Sequence, residues 1–386
     1  MHGNSPSAPA RVRPWRLLIK ILILFGVFNA LYFVAQPVNA LNSITVYNWL
    51  VPGRTRLPFG EYPSESYNIS ILSLDQMLAS HELARPKTPD EYRVVMLGDS
   101  SIWGYLLQPD QTQAACLNNL NLTTAAGRKV HVYNLGYPKL TVMKDFLILR
   151  HALAYKPDLI IWSTTLASLY PSDQLDFEVV TAQYDELAAL VNQYHFKLYQ
   201  WPLPPEKTPT WLGHTFFGQR QQLADWLRYQ LYGVDWTATG IDHVVPKLVP
   251  PHPTNLGNSD QMLLVEPMLM HLSADHKISE PDLSLDIVRA GIQTAADRGI
   301  STLLVNEPMY RTSDNPVRWN YYYPRWAYDS YRDVMMSVTS REGWPYIDLW
   351  DVVPPDRFTD TDFHMTPQAT CGYAQKLRDP LLALAH

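Results

Sequence analysis

The chain has 386 residues and a formal net charge of −6; 46% of its residues are hydrophobic and 18% are charged, a composition typical of a globular protein. The lack of a basic surplus argues against nucleic acid as a partner. Two cysteines, Cys116 and Cys371, are too few for a disulfide framework or a cysteine metal site, but they allow a single bridge.

The first predicted element is an apolar helix near the N-terminus. Residues 17–36 are almost entirely apolar, and a helix of this length spans about 30 Å, the thickness of a bilayer core. Three arginines lie in residues 1–16, so the positive-inside rule places that segment in the cytoplasm and the rest of the chain outside. We therefore expect a membrane anchor, with the rest of the chain outside the cytoplasm. The alternative is a signal peptide cleaved after "VNA" at 38–40, which would release a secreted protein.

A regular α/β pattern follows a linker, residues 37–91, that contains the Pro- and Gly-rich stretch "VPGRTRLPFGEYP". The predicted strands are 92–98, 129–138, 157–165, 300–308 and 344–353, and the predicted helices are 110–122, 141–155, 283–299, 328–343 and 367–385. Buried strands that alternate with helices indicate a parallel sheet with right-handed crossovers. The predicted fold of residues 92–386 is thus an α/β sandwich of three layers around a five-stranded parallel sheet.

Residues 172–280 depart from this pattern and are interpreted as an insertion. They hold two helical pieces, 185–201 and 220–233, and then Pro-rich loops. Four tryptophans in this segment either form the core of the insertion, which is the more usual role of large aromatic residues, or line a sugar or acyl cleft: Trp201, Trp211, Trp226 and Trp236.

Three polar stretches follow predicted strands, at the sheet edge where open parallel sheets bind ligands. Gly98-Asp99-Ser100 follows the first strand, Gly136 follows the second, and "FTDTDFHMTP" follows the last. A serine hydroxyl becomes nucleophilic when an imidazole takes its proton, and a carboxylate fixes the imidazole tautomer. The attacked carbonyl oxygen also needs N–H donors, for which Ser100 and Gly136 are the candidates. We therefore predict a site that combines Ser100 with His364.

These stretches resemble the SGNH or GDSL hydrolase superfamily. The resemblance rests on "VVMLGDSSIWG", "YNLGYP" and the Asp-x-His before "MTP", and it covers residues 92–169 and 283–386 but not the insertion. It implies a flavodoxin-like fold with Ser100 as nucleophile and first oxyanion donor, and with Gly136 as the second donor. It also implies a C-terminal acid and histidine, and neither a metal nor a cofactor.

The third block of that family is missing. Gly-x-Asn-Asp is expected after the third strand, but this chain reads "WSTTLASLY" there, so the asparagine that donates to the oxyanion is absent. Thr164 or Thr165 is a candidate replacement, and so is Asn306 after the fourth strand. Loss of one such donor typically lowers turnover about 10²-fold or more, so we expect a modest rate.

The acid of the predicted triad also departs from the usual family spacing. Most members have an aspartate three residues before the histidine, where this chain has Thr361. Asp360 and Asp362 are the two candidates. We favour Asp362, because the Asp-x-His spacing resembles that of alginate-acetylating and related cell-envelope SGNH proteins.

The resemblance and the anchor together imply a serine esterase or O-acyltransferase. Its expected substrate is an acylated glycan or small ester outside the cytoplasm, with acetyl as the expected acyl group. The missing asparagine leaves a second hypothesis, a catalytically weak module that binds envelope glycan or a partner protein. A third hypothesis, a metallohydrolase, has the least support because four histidines match no ligand spacing: His243, His252, His271 and His276.

The two cysteines lie in helices that a doubly wound sheet brings together. Cys116 follows the strand of the candidate nucleophile, and Cys371 follows His364. In strand order 2-1-3-4-5 these helices are neighbours on one face of the sheet. The sequence leaves two alternatives: a disulfide, which persists outside the cytoplasm, or two small buried thiols.

Overall fold

The computed structural model describes residues 13–54, 73–199, 201–202, 210–243, 269, 272, 277–313 and 315–385. The α-helices are α1 (Pro14–Ala35), α2 (Pro37–Leu41), α3 (Val46–Leu50), α4 (Leu74–Ala79), α5 (Ser100–Trp103), α6 (Gln113–Asn119), α7 (Val142–Ala152), α8 (Glu178–Thr181), α9 (Tyr184–Tyr194), α10 (Thr210–Gly213), α11 (Arg220–Thr239), α12 (Leu285–Ala296), α13 (Arg325–Glu342) and α14 (Pro367–Leu384).

Five parallel strands form one sheet in the order β2-β1-β3-β4-β5. They are β1 (Glu91–Leu97), β2 (Lys129–Asn134), β3 (Leu159–Thr164), β4 (Ser301–Asn306) and β5 (Tyr346–Asp348). The predicted parallel sheet and the order that juxtaposes the first and last helices are thus confirmed. The last strand is shorter than predicted, because the chain turns away once Asp348 has bonded to the end of β4.

Both faces of the sheet are covered, which explains the continuous apolar runs of its strands. Every residue of β1 is buried. Helices α4, α7, α12 and α13 pack on one face, and α6 and α14 pack on the other. The predicted three-layer sandwich is therefore confirmed, with its two apolar cores separated by the sheet.

Part of the predicted linker belongs to this core. Leu74, Met77 and Leu78 of α4 are almost completely buried on the face that holds α7. The helix is only six residues long, so its packing rather than its helical period identifies it. Residues 55–63 of the Pro- and Gly-rich stretch lie outside the described residues.

The insertion contributes helices α8 to α11 among the residues described. Helix α9 ends at Tyr194, earlier than predicted, because His195 adopts a left-handed conformation with φ of 57°. Trp236 packs on Tyr47 in a small core of its own, whereas the Trp211 side chain is 64% exposed. Of the four histidines named above, His252, His271, His276 and the side chain of His243 lie outside the described residues.

Helix α1 is the one element of the described chain with the length and composition of a membrane span. It has 22 residues, and nearly all of its apolar side chains are exposed. A signal sequence near an N-terminus has the same character, so the helix fits either of the two roles predicted for it.

Candidate active site

The turn after β1 presents Ser100 at the carboxyl edge of the sheet. Gly98 has φ of +155°, and a Cβ there would lie 2.5 Å from Ile102 Cγ1, so glycine is required for the turn. Asp99 caps α5 by accepting the N–H of Ser101 at 2.8 Å. Ser100 is therefore the first residue of α5, where its N–H is one of the groups that a helix leaves without an intrahelical acceptor.

The loop after β5 brings an imidazole to this serine. The N–H and hydroxyl of Thr359 both donate to the carbonyl of His364, at 2.8 and 3.0 Å, and fold the loop back on itself. His364 then places Nε2 at 2.8 Å from Ser100 Oγ and Nδ1 at 2.8 Å from Asp360 Oδ1. The three side chains form a continuous Ser–His–Asp chain of hydrogen bonds. Burial opposes ionisation of Asp360, but the hydrogen bond with His364 outweighs it and lowers the pKa of the Asp360 carboxyl.

The preference for Asp362 is wrong, because the loop turns that side chain away from the imidazole. Asp362 is completely buried, and its carboxylate accepts the N–H of Tyr321 at 3.1 Å. Burial raises the pKa of Asp362 to about 8, although the N–H groups of Tyr321 and Tyr322 and the charge of Arg318 oppose the shift. Asp362 thus holds the loop that contains the tyrosines, and Asp360 is the carboxylate at His364.

Gly136 lies beside the Ser100 turn, but its N–H is already engaged. It donates to Asn134 Oδ1 at 2.9 Å, while the Asn134 amide donates to the Ile102 carbonyl at 2.8 Å. A Cβ on Gly136 would lie 2.3 Å from the Trp103 nitrogen. Gly136 therefore allows the chain after β2 to pack closely against α5, and the Asn134 side chain connects the two segments by hydrogen bonds.

The replacements considered for the missing asparagine are also engaged elsewhere. Thr165 is buried, with its hydroxyl 3.2 Å from the hydroxyl of Tyr323. Thr164 donates to a β4 carbonyl. Asn306 donates to Asp348 at 2.9 Å, and its side-chain oxygen accepts hydroxyls from two tyrosines of α13, Tyr328 and Tyr331. The hydrogen bonds of these three side chains connect neighbouring elements of the fold. None of these bonds points to a role in place of the oxyanion amide.

A buried acidic cluster behind the serine turn was not anticipated from the sequence. Ser101 donates to Glu307, the residue directly after β4. Burial raises the pKa of the Glu307 carboxyl well above its usual range, and the neighbouring charge of Asp99 adds to the shift. Lys144 donates to the carbonyls of Gly98 and Tyr137, at 2.8 and 3.0 Å, and so fixes the two loops. The only sequence signal was a carboxylate directly after an apolar strand.

An aromatic ring covers the imidazole. The Tyr105 ring centroid lies 4.8 Å from that of His364, with 34° between the ring planes. The N–H of Tyr105 donates to the carbonyl of Ser100 at 3.0 Å, which ties the ring to the serine turn. This contact restricts the rotation of the imidazole.

Cys116 and Cys371 form a disulfide, with their Cα atoms 5.1 Å apart. The bond joins α6, which follows the serine turn, to α14, which follows the His364 loop. Of the two alternatives left by the sequence, the bridge is therefore the one found.

No protein-family model and no curated protein sequence matches this chain. The solved structures that match include a GDSL-like lipase from Bacteroides thetaiotaomicron, at 9% identity and a TM-score of 0.35, covering 81% of this chain and 100% of that one. A carbohydrate acetylesterase family member from Sinorhizobium meliloti matches at 11% identity and a TM-score of 0.32, covering 76% of this chain and 98% of that one. The aryl esterase of M. smegmatis matches at 12% identity and a TM-score of 0.33, covering 76% and 99%.

These solved proteins carry the names of the GDSL lipases and esterases that the sequence blocks resemble. Because their identities and TM-scores are low, the functional assignment rests on the geometry of the Ser100 site. The closer likeness to alginate-acetylating proteins stays a prediction.

Proposed function

We propose that this protein is a serine ester hydrolase or O-acyltransferase that works through an acyl-enzyme on Ser100. The observation that supports it is the chain of two 2.8 Å hydrogen bonds from Ser100 through His364 to Asp360. A helix cap or a structural histidine does not require this arrangement, whereas nucleophilic catalysis does.

The reaction follows from the positions of these groups. His364 Nε2 takes the Ser100 proton as Oγ attacks the acyl carbon, and Asp360 stabilises the resulting imidazolium through Nδ1. The imidazolium then protonates the leaving alkoxide, which leaves an acyl-Ser100 ester. Water or a hydroxyl acceptor, deprotonated by His364, then attacks this ester, and the imidazolium returns the proton to the departing Ser100 Oγ. Hydrolysis and transfer therefore share every step except the identity of the acceptor.

The N–H of Ser100, at the start of α5, is the candidate donor to the oxyanion. Gly136, Thr165 and Asn306 make hydrogen bonds to other protein groups, which favours slow turnover. That weakness is also the observation in favour of the second hypothesis, a module that binds envelope glycan or a partner protein without turnover.

Labelling with a fluorophosphonate probe separates the two functions. We expect covalent labelling of the wild-type protein and of Ser101→Ala, and none of Ser100→Ala. Ser101 is the matched control, because it lies in the same helix and receives the same substitution. An unlabelled wild type with the thermal stability of a folded protein would contradict the enzyme and favour the binding module.

We further propose that the site faces the extracytoplasmic side, where it would meet an acylated glycan or small ester with acetyl as the acyl group. The Cys116–Cys371 disulfide supports this location, because such bonds persist in oxidising compartments. The exposed apolar surface of α1 supports a helix that inserts into the membrane. Fusions at Pro52 to reporters active on only one side of the membrane test the orientation, and activity of the cytoplasmic reporter alone would overturn it.

A further inference from the structure

The insertion touches α1 through an aromatic segment, residues 211–220, which we call the aromatic tip. The Phe216 ring centroid lies 5.2 Å from that of Phe28 and 5.7 Å from that of Tyr32. The His214 ring lies 5.9 Å from that of Phe33. Tyr32 is only 7% exposed as a result, whereas most other apolar side chains of α1 are exposed.

The depth of these contacts follows from helix geometry. Helix α1 has 22 residues, or about 33 Å at 1.5 Å per residue, which matches a bilayer core of about 30 Å. Phe28 comes two turns before the end of α1 at Ala35, so it lies about 10 Å inside that end. If α1 spans the membrane, its contact residue Phe216 must lie below the membrane surface as well.

Polar and apolar groups of the aromatic tip are arranged in the matching order. At the end of α1, Gln36 donates to the His214 carbonyl at 3.1 Å and accepts from Gln219 at 3.2 Å. Towards the middle of α1, Phe28 and Tyr32 make ring contacts with Phe216. If α1 spans the membrane, these polar bonds lie at the level of the headgroups and the rings lie at the level of the acyl chains.

The aromatic tip also has the composition of a membrane interface. Trp211, Phe216 and Phe217 have 64%, 38% and 51% of their surface exposed. The Arg220 guanidinium lies 4.4 Å from the Phe217 ring centroid and donates to the Phe217 carbonyl. Exposed aromatic residues next to a basic residue are typical of segments that lie in the headgroup region.

We propose that the aromatic tip is a second membrane contact, inserted into the outer leaflet beside α1. Phe216 and Phe217 lie among the upper acyl chains, Trp211 lies at the interface, and Arg220 reaches lipid phosphates. Two points of attachment fix the orientation of the α/β domain relative to the bilayer, which one flexible tether would not do. The proposal rests on the retention of α1 and is independent of the esterase activity.

A single probe on the aromatic tip tests this. Both native cysteines are consumed by the disulfide, so an introduced Phe217→Cys is selectively labelled with an environment-sensitive fluorophore. The full chain is reconstituted in phosphatidylcholine–phosphatidylglycerol vesicles that contain nitroxide-labelled lipid. We expect strong quenching by the lipid nitroxide and protection from aqueous iodide. Trp211→Cys is measured in parallel, so that the result does not depend on one substitution.

Asp379→Cys is the matched control, because its side chain is 89% exposed on α14, distant in sequence from α1. We expect its probe to be quenched by iodide and not by lipid. Iodide quenching at both tip positions equal to that of the control would overturn the proposal. Protection from iodide without quenching by lipid would also overturn it, since a second copy of the chain would then cover the tip. So would an intact mass that shows α1 removed from the mature protein.

Discussion

Ser100 and Ser101 are consecutive residues of one helical turn, yet their hydroxyls have different hydrogen-bond partners. Ser100 contacts the imidazole of His364, whose other nitrogen bonds to Asp360. Ser101 instead donates directly to the buried Glu307. The pKa of the Asp360 carboxyl is lowered by its bond to His364, whereas burial raises that of Glu307.

The difference shows why the presence of a serine and an acid does not define a nucleophile. Burial favours the neutral form of Glu307, and a neutral carboxyl does not accept the proton of Ser101, so we assign this pair a structural role. An ionised carboxylate behind an imidazole fixes its tautomer and stabilises the imidazolium that forms during the reaction, so Ser100 is the serine that can react. The following experiments replace first the two serines and then the acids near them.

The largest expected effect comes from the two serines themselves. Ser100→Ala removes the nucleophile and should lower the hydrolysis of p-nitrophenyl acetate by at least about 10³-fold. Ser101→Ala removes a single hydrogen bond and should lower it by no more than about tenfold. Steady-state kinetics of the two purified variants, each checked for thermal stability, measure the difference, and equal losses would contradict the assignment.

The two aspartates of the His364 loop should also differ. Asp360→Asn replaces an ionised partner of the imidazole, and kcat should fall roughly 10²- to 10⁴-fold. Asp362→Asn replaces a carboxyl whose pKa is about 8, so at pH 6.5 a neutral amide takes the place of a largely neutral acid. Its kcat should stay within about threefold of wild type. A larger loss for Asp362→Asn would restore the preference that the sequence suggested.

Replacement of the Glu307 carboxyl by an amide should have only a small effect on thermal stability. A glutamine amide can donate to Asp99 and accept from Ser101, so Glu307→Gln keeps both side-chain contacts of Glu307 and should shift Tm by no more than about 3 °C. Glu307→Ala leaves buried polar groups without a partner and should lower Tm further. If the two variants are equally destabilised, Glu307 is ionised in the folded protein.

The pH dependence of stability should be smaller in Asp362→Asn than in wild type. The folded pKa of Asp362 is raised to about 8, against about 3.9 in an unfolded chain, so only the folded state holds the proton between these values. The stabilisation of the folded state by this bound proton is complete below about pH 4 and is lost as the pH rises towards 8. Tm measured from pH 5 to 9 should therefore fall more steeply for wild type. Parallel curves would contradict the raised pKa.

The sequence was sufficient for those features that depend on pattern along the chain. Apolar runs and helical spacing predicted the five strands, the doubly wound fold class supplied their order, and strand ends predicted Ser100 and His364. The Asp-x-His spacing favours Asp362 over Asp360 only through its resemblance to cell-envelope SGNH proteins, and the turn closed by Thr359 decides which carboxylate reaches the imidazole. Other roles depend on contacts between elements that are distant in sequence, so the local sequence pattern does not reveal them. They include those of Glu307, of Asn134 and of Asn306, which accepts hydrogen bonds from two tyrosines.

The most direct test of the central claim is to trap the acyl-enzyme. The wild-type protein is mixed with p-nitrophenyl acetate, quenched in acid during the first turnover, digested and examined by mass spectrometry. We predict one acetyl group on the peptide that contains Ser100 and Ser101, assigned to Ser100 by fragmentation and absent from Ser100→Ala. Acetyl on Ser101, or turnover without any acetylated serine in this peptide, would contradict the account.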